Sequence, residues 1–171
     1  MDFTKNDFKE VSDLVALQLR VDNIDAEYLH SISDDIFQNQ PFFLTVLLGY
    51  RLDTSPEELE EIMKIYFLIW EYFKINKGVR VRQVTQEDFE KIQRRYIEML
   101  QYAEGEVNQQ GRIQVYSYDL QDTRAKALLT AILFRYNNRP ILVKMEEQKK
   151  GIILIGIKSF IECFDLLDNG K

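Results

Sequence analysis

The chain has 171 residues and carries 22 Lys+Arg against 28 Asp+Glu, a formal net charge of −6. That length suits one domain, residues 1–171, and 46% hydrophobic residues favour a packed core over disorder. One cysteine, Cys163, excludes an intrachain disulfide or a cysteine zinc knuckle, and one histidine, His30, excludes any self-contained site needing two imidazoles.

Cysteine usage of this kind suits a reducing compartment. The first seven residues lack the basic start and apolar core of a secretion signal. The longest apolar stretches, at 42–50, 65–70 and 151–157, fall far short of the roughly 18 residues a membrane span requires. The expectation is a soluble, cytoplasmic protein with no membrane partner. Its acidic balance also argues against nucleic acid as a general partner, because affinity there comes largely from neutralising phosphates. The charge is unevenly spread: residues 1–62 carry net −10 and residues 63–171 net +4.

Apolar spacing reads as helix nearly throughout. A first helix covers about 5–20, with Phe8, Val11, Val15 and Leu19 recurring every three or four residues. Asp22-Asn23 breaks it and can cap a second helix, whose inward stripe is Leu29, Ile32 and Ile36. Pro41 suits the first position of a short apolar helix over 42–50, having no N–H to lose there.

Ser55-Pro56-Glu57-Glu58 is the clearest local signal: an N-cap hydroxyl, a proline at the first helical position and a glutamate three residues after the cap. This helix is predicted to reach Asn76. Thr85 opens another, to about 104, with Phe89, Ile92, Tyr96, Met99, Leu100 and Ala103 on its core face. Further helices are expected over about 120–136 and 140–168, the last one kinked or broken at Gly151. Gly156, Ser159 and Cys163 flank its apolar stripe as small residues that permit close approach. Two segments, 79–84 and 112–117, alternate in the manner of strands and suggest a short two-stranded ribbon or extended loops.

The fold class is therefore all-α: one compact domain of six to eight helices in an irregular bundle or two layers. The helices at 56–76 and 120–136 are expected innermost, because their apolar character is not confined to one stripe.

Few constellations suggest chemistry. Glu27, His30 and Asp34 share one helix face, but that face points away from Leu29, Ile32 and Ile36, so it reads as solvated and no metal site is assigned. Glu71 interrupts an aromatic run and invites two readings: a general base in a pocket, or a carboxylate paired with Lys74 or an arginine. The pairing is favoured. Should a pocket exist, Tyr66, Trp70, Arg124 and Arg135 are its other candidate lining residues, the arginines as holders of an anionic ligand. Lys74, Lys77, Arg80 and Arg82, followed by Arg95, form the only basic stretch that could meet an anionic surface or phosphate backbone; a solvated charged loop is the plainer reading.

No Gly-rich phosphate loop, GxSxG elbow or EF-hand loop occurs. No catalytic residue and no cofactor is assigned, and the balance leans away from an enzyme. The expected function is a helical protein-interaction module that associates with a protein partner or with itself. The alternatives are a small-ligand-binding protein or enzyme centred on Glu71 and the 120–136 helix, and an anion-binding protein using the 74–95 segment.

Overall fold

The computed structural model describes residues 5–105 and 124–168, with side chains from residue 10 onward. Among them are nine α-helices and one 3-10 turn, and no strand: α1 Lys5–Asp22, α2 Ala26–Asn39, α3 Pro41–Gly49, the turn Tyr50–Leu52, α4 Pro56–Phe73, α5 Lys77–Val81, α6 Gln86–Gly105, α7 Lys126–Asn138, α8 Pro140–Val143 and α9 Glu147–Asp168. One hydrophobic core runs through all of them. None of these helices is long and apolar enough to cross a membrane.

Helix starts follow local chemistry. Ser55 Oγ accepts from the Glu58 amide at 3.1 Å while the Glu58 carboxylate accepts from the Ser55 amide at 2.9 Å, a reciprocal cap that satisfies two otherwise orphaned donors. Thr85 and Asp88 make the same exchange ahead of α6. The second helix is capped by Asp25, which accepts from the Tyr28 amide at 2.7 Å. Asp22 stays inside α1, because its carboxylate is taken by arginines from another part of the bundle.

From Ile65 to Glu71 every residue of α4 is buried. The helix packs against α1, α3, α7, α8 and α9, and α9 in turn packs against α5 and α6. The second innermost helix is thus α9 rather than the expected 120–136 helix. Its buried set includes Gly156, Ser159 and Cys163 beside Ile153, Ile157, Phe160 and Phe164, so small residues do allow neighbours to close in. The Tyr50 hydroxyl occupies the space a Cβ at Gly156 would fill, 2.5 Å away. In α7, by contrast, Phe134 is left 66% exposed. That helix begins at Lys126, behind the non-helical Arg124 and Ala125, rather than at about 120.

Other expectations are corrected too. The 79–84 segment is not a strand: α5 makes one helical turn that buries Val79 and leaves Val81 outside. An alternating pattern of so few residues fits either geometry, and a fully buried amide decides it. Gln40 donates from Nε2 to the carbonyls of Val79 (2.6 Å) and Arg82 (2.8 Å) and accepts from the Val84 amide (2.9 Å), filling the role a pairing strand would have had. The 112–117 segment lies outside the described residues. Gly151 sits within α9, with open space where a Cβ would stand, and the break falls before Glu147 instead. In α1 the inward residues are Leu14, Leu17 and Val21, while Val11, Val15 and Leu19 face outward.

Gly78 marks the tightest crossing. A Cβ there would stand 2.2 Å from the Leu167 carbonyl oxygen and 2.6 Å from its carbon, both backbone atoms of α9. Alanine is favoured over glycine within a helix by about 0.5–1 kcal/mol, but overpacking against atoms that cannot rotate away costs about 1–3 kcal/mol. The clash wins: Gly78→Ala is expected to lower Tm by about 2–6 °C in a thermal melt, and an unchanged Tm would show that α5 does not press on α9.

Candidate functional site

Glu71 lies near the end of α4 with its side chain 2% exposed. Its Oε1 accepts from the Tyr28 hydroxyl of α2 at 3.0 Å, and its Oε2 stands 2.6 Å from Lys74 Nζ and 3.8 Å from an Arg20 nitrogen of α1. A buried carboxylate without partners would be very costly, and two close contacts plus a third, longer one offset that cost. Burial, then the adjacent Glu71 charge, raise the Tyr28 phenol above its ordinary value, so it remains the donor. The Arg20 guanidinium rests over the Tyr28 ring, 4.9 Å from its centroid.

Beside this group opens a groove of about 350 Å³. Helix α2 contributes Ser31, Asp34, Asp35 and Gln38 to it; α1 contributes Arg20, and Glu71 and Lys74 come from the end of α4. Asp35 closes one end as a hub. It accepts from Trp70 Nε1 at 3.0 Å, from Arg80 through both terminal nitrogens at 3.1 and 3.3 Å, and from Asn39 at 3.0 Å. Arg80 also donates to the Lys74 carbonyl at 2.8 Å and lies over the Trp70 ring.

The residues singled out from the sequence therefore fall into separate groups. Glu71 lines the groove. Trp70 is buried and reaches it only through Asp35. Tyr66 is wholly within the core, stacked on Phe43 and bonded through its hydroxyl to Tyr50 at 3.0 Å. Arg135 belongs to a second polar cluster: it holds Asp22 with both terminal nitrogens, at 2.7 and 3.1 Å, and reaches Glu61 at 3.5 Å. Arg139 joins on Asp22 at 2.6 Å. Arg124 is exposed and its charge acts on Asp165 of α9, partly opposing the burial that raises that carboxyl.

The basic stretch is likewise committed. Lys74 is on Glu71, Arg80 on Asp35, Arg95 on Glu162, and Arg82 donates to the Leu167 carbonyl at 2.9 Å; Lys77 is exposed. The Glu27–His30–Asp34 face is solvated, with His30 Nε2 3.4 Å from Asp34. Among the described residues no three His, Cys, Asp or Glu side chains converge as a metal ion would need. Cys163 is buried, and burial followed by the charges of Asp88 and Glu162 pushes its thiol up to about 12, so it is protonated and a poor nucleophile near neutral pH.

Tyr28, Arg20, Asp35 and Asp22 were not singled out by sequence. Tyr28 hides between Glu27 and His30, whose shared face draws attention outward. Asp35 is one residue from Asp34 and so turned about 100° toward the core. Comparison with protein-family models, curated proteins and solved structures yields no match.

The Asp22 cluster has a pH signature. Burial alone would raise the Asp22 carboxyl, but the Arg135 hydrogen bond and the charges of Arg135, Arg139 and Lys64 outweigh it and hold the group below its ordinary 3.8. A depressed folded-state value means that the stabilisation is present above about pH 3.8 and disappears as pH falls through the lower folded value. Acid unfolding of Asp22→Asn, followed by circular dichroism, is expected to be less steep than that of the parent in this window. Superimposable acid limbs would contradict the assignment.

Proposed function

We propose that this chain is a non-catalytic helical interaction protein that pairs with a second copy of itself through the outer face of α1. The observation that carries this reading is the stripe Val11, Val15 and Leu19, which are 45, 50 and 61% exposed although Leu14 and Val21 on the same helix are buried. A stripe at i, i+4 and i+8 with a second, fully packed apolar face behind it is costly to leave in water.

A second copy is the occupant that suits the stripe best. Val15 lies midway between Val11 and Leu19, so an antiparallel pair about a two-fold axis sets Val15 against Val15 and Val11 against Leu19. Ser12 and Ala16, both exposed, flank the stripe with small side chains that let two helices approach. Antiparallel helices also oppose their dipoles favourably. Three side chains alone fall short of the roughly 800 Å² per partner of a standard interface. In this reading Phe134, exposed on α7 next to Arg135, whose guanidinium bonds Asp22 of α1, supplies further apolar surface.

The division of charge along the chain does not drive this pairing. Asp22–Arg135, Asp22–Arg139, Asp35–Arg80 and Glu58–Lys149 all join the acidic first third to the basic remainder within one molecule. Attraction between copies then rests on apolar contact. An anionic-surface role for the 74–95 segment is less favoured, since Lys74, Arg80 and Arg95 would have to leave carboxylate partners. The single buried thiol accords with work in a reducing, cytoplasmic setting.

Light scattering across protein concentration tests the reading. The expected result is a mass twice that of the chain, little affected by salt, and a monomer for Val15→Asp with the parent's Tm. A parent chain that stays monomeric up to about 1 mM, the upper bound of a weak specific contact, overturns it.

A further inference from the structure

The geometry points to the groove between α1, α2 and the end of α4 as a binding site for a small zwitterion, a free α-amino acid with a polar side chain. The site is independent of self-association, because the groove opens beside Tyr28 and Glu71 and the α1 stripe plays no part in it.

Its charges are sorted by element. On the α2 side stand Asp34, the Arg80-bound Asp35 and the neutral donors and acceptors of Ser31 and Gln38. Opposite in sign are Arg20 from α1 and Lys74 from α4, with the buried Glu71 carboxylate beneath them. Arg20 is the least committed cation. Among the described residues its nearest carboxylate oxygen is 3.8 Å away, beyond hydrogen-bond reach, and it stacks on Tyr28 rather than making a fork of hydrogen bonds. A guanidinium pre-positioned in this way keeps its paired donors for an incoming carboxylate. Asp34 has the exposed His30 beside it, at 3.4 Å. Ser31 and Gln38 make no side-chain hydrogen bond among the described residues, so all three can receive an ammonium group or a polar side chain.

The mixture of signs sets the class of ligand. A bare anion on Arg20 would also meet the Glu71 carboxylate, and a bare cation on Asp34 would meet the Arg20 and Lys74 charges across the groove. A molecule carrying both charges on one small frame has no net charge to be repelled, and it can set its carboxylate on Arg20 and its ammonium on Asp34. The volume, about 350 Å³, is at the small end of ligand sites and suits a single amino acid. The polar lining leaves little apolar surface to reward a hydrocarbon side chain.

Calorimetric titration of the full chain tests this, using the free amino acids, their methyl esters (carboxylate removed) and their N-acetyl forms (ammonium removed). A polar amino acid is expected to bind, and each blocked form to bind roughly tenfold or more weakly, as loss of a charged hydrogen bond implies. Arg20→Ala is expected to weaken the free amino acid to the level of its ester while leaving the ester unaffected. Asp34→Asn is expected to do the same for the N-acetyl form. Melting curves of both variants separate loss of binding from loss of folding, with Arg20→Ala expected to melt slightly below the parent because it also gives up the longer contact to Glu71. Absence of heat for every amino acid at about 10 mM, well above a millimolar Kd, overturns the proposal. So does equal binding of free and blocked forms, tighter binding of acetate or phosphate, or variants that bind as the parent does.

Discussion

A helical stretch with no solvent face, such as 65–71 of α4, imposes one condition on everything around it: each polar group it carries must find its partner on another element. Helix α4 meets that condition at four positions. Tyr66 is answered by Tyr50 of the 3-10 turn, Trp70 by Asp35 of α2, Glu71 by Tyr28 of α2 and by Lys74, and Tyr72 by Glu10 of α1 at 2.6 Å. Hydrophobic burial holds the neighbours against α4 without specifying their register. The polar pairs supply the register, since an unmet hydroxyl, indole or carboxylate costs more than a shifted methyl group.

The same condition explains the charge layout. A chain that is acidic before Met63 and basic after it looks built for association between molecules. In the folded chain the opposite signs meet across the bundle, where Asp22 draws in Arg135 and Arg139 and Asp35 draws in Arg80. Arg135 is almost wholly buried, so its ion pair with Asp22 is needed to keep the guanidinium there at all. These clamps lock α7 and α5 onto the first two helices.

The helix starts at Ser55 and Thr85, the all-α class and the central place of α4 were legible in the sequence because each rests on local chemistry or on periodicity. The Ser55 cap is complete within four residues, and the all-round apolarity of 65–70 needs no knowledge of neighbours. Which face of α1 turns inward was not legible: Leu14, Leu17 and Val21 compete with Val11, Val15 and Leu19 at the same period, and only the position of α4 decides between them. The group around Glu71 was half legible. Lys74, one turn away, follows from helix geometry, whereas Tyr28 and Arg20 come from helices whose approach no spacing encodes. Gln40, a lone amide before Pro41, stands in for a whole strand in holding 79–84, which is why an alternating pattern there misleads.

A site at the junction of three helices depends on the central one being the last to open. Native-state hydrogen exchange measures this directly. The amides of Ile65 to Phe73 are expected to exchange only through global unfolding, with a free energy of opening equal to that from denaturant titration, while the outer turns of α1 and α7 open earlier. Exchange of the α4 amides through a smaller, local opening, ahead of α1 or α7, would contradict the account.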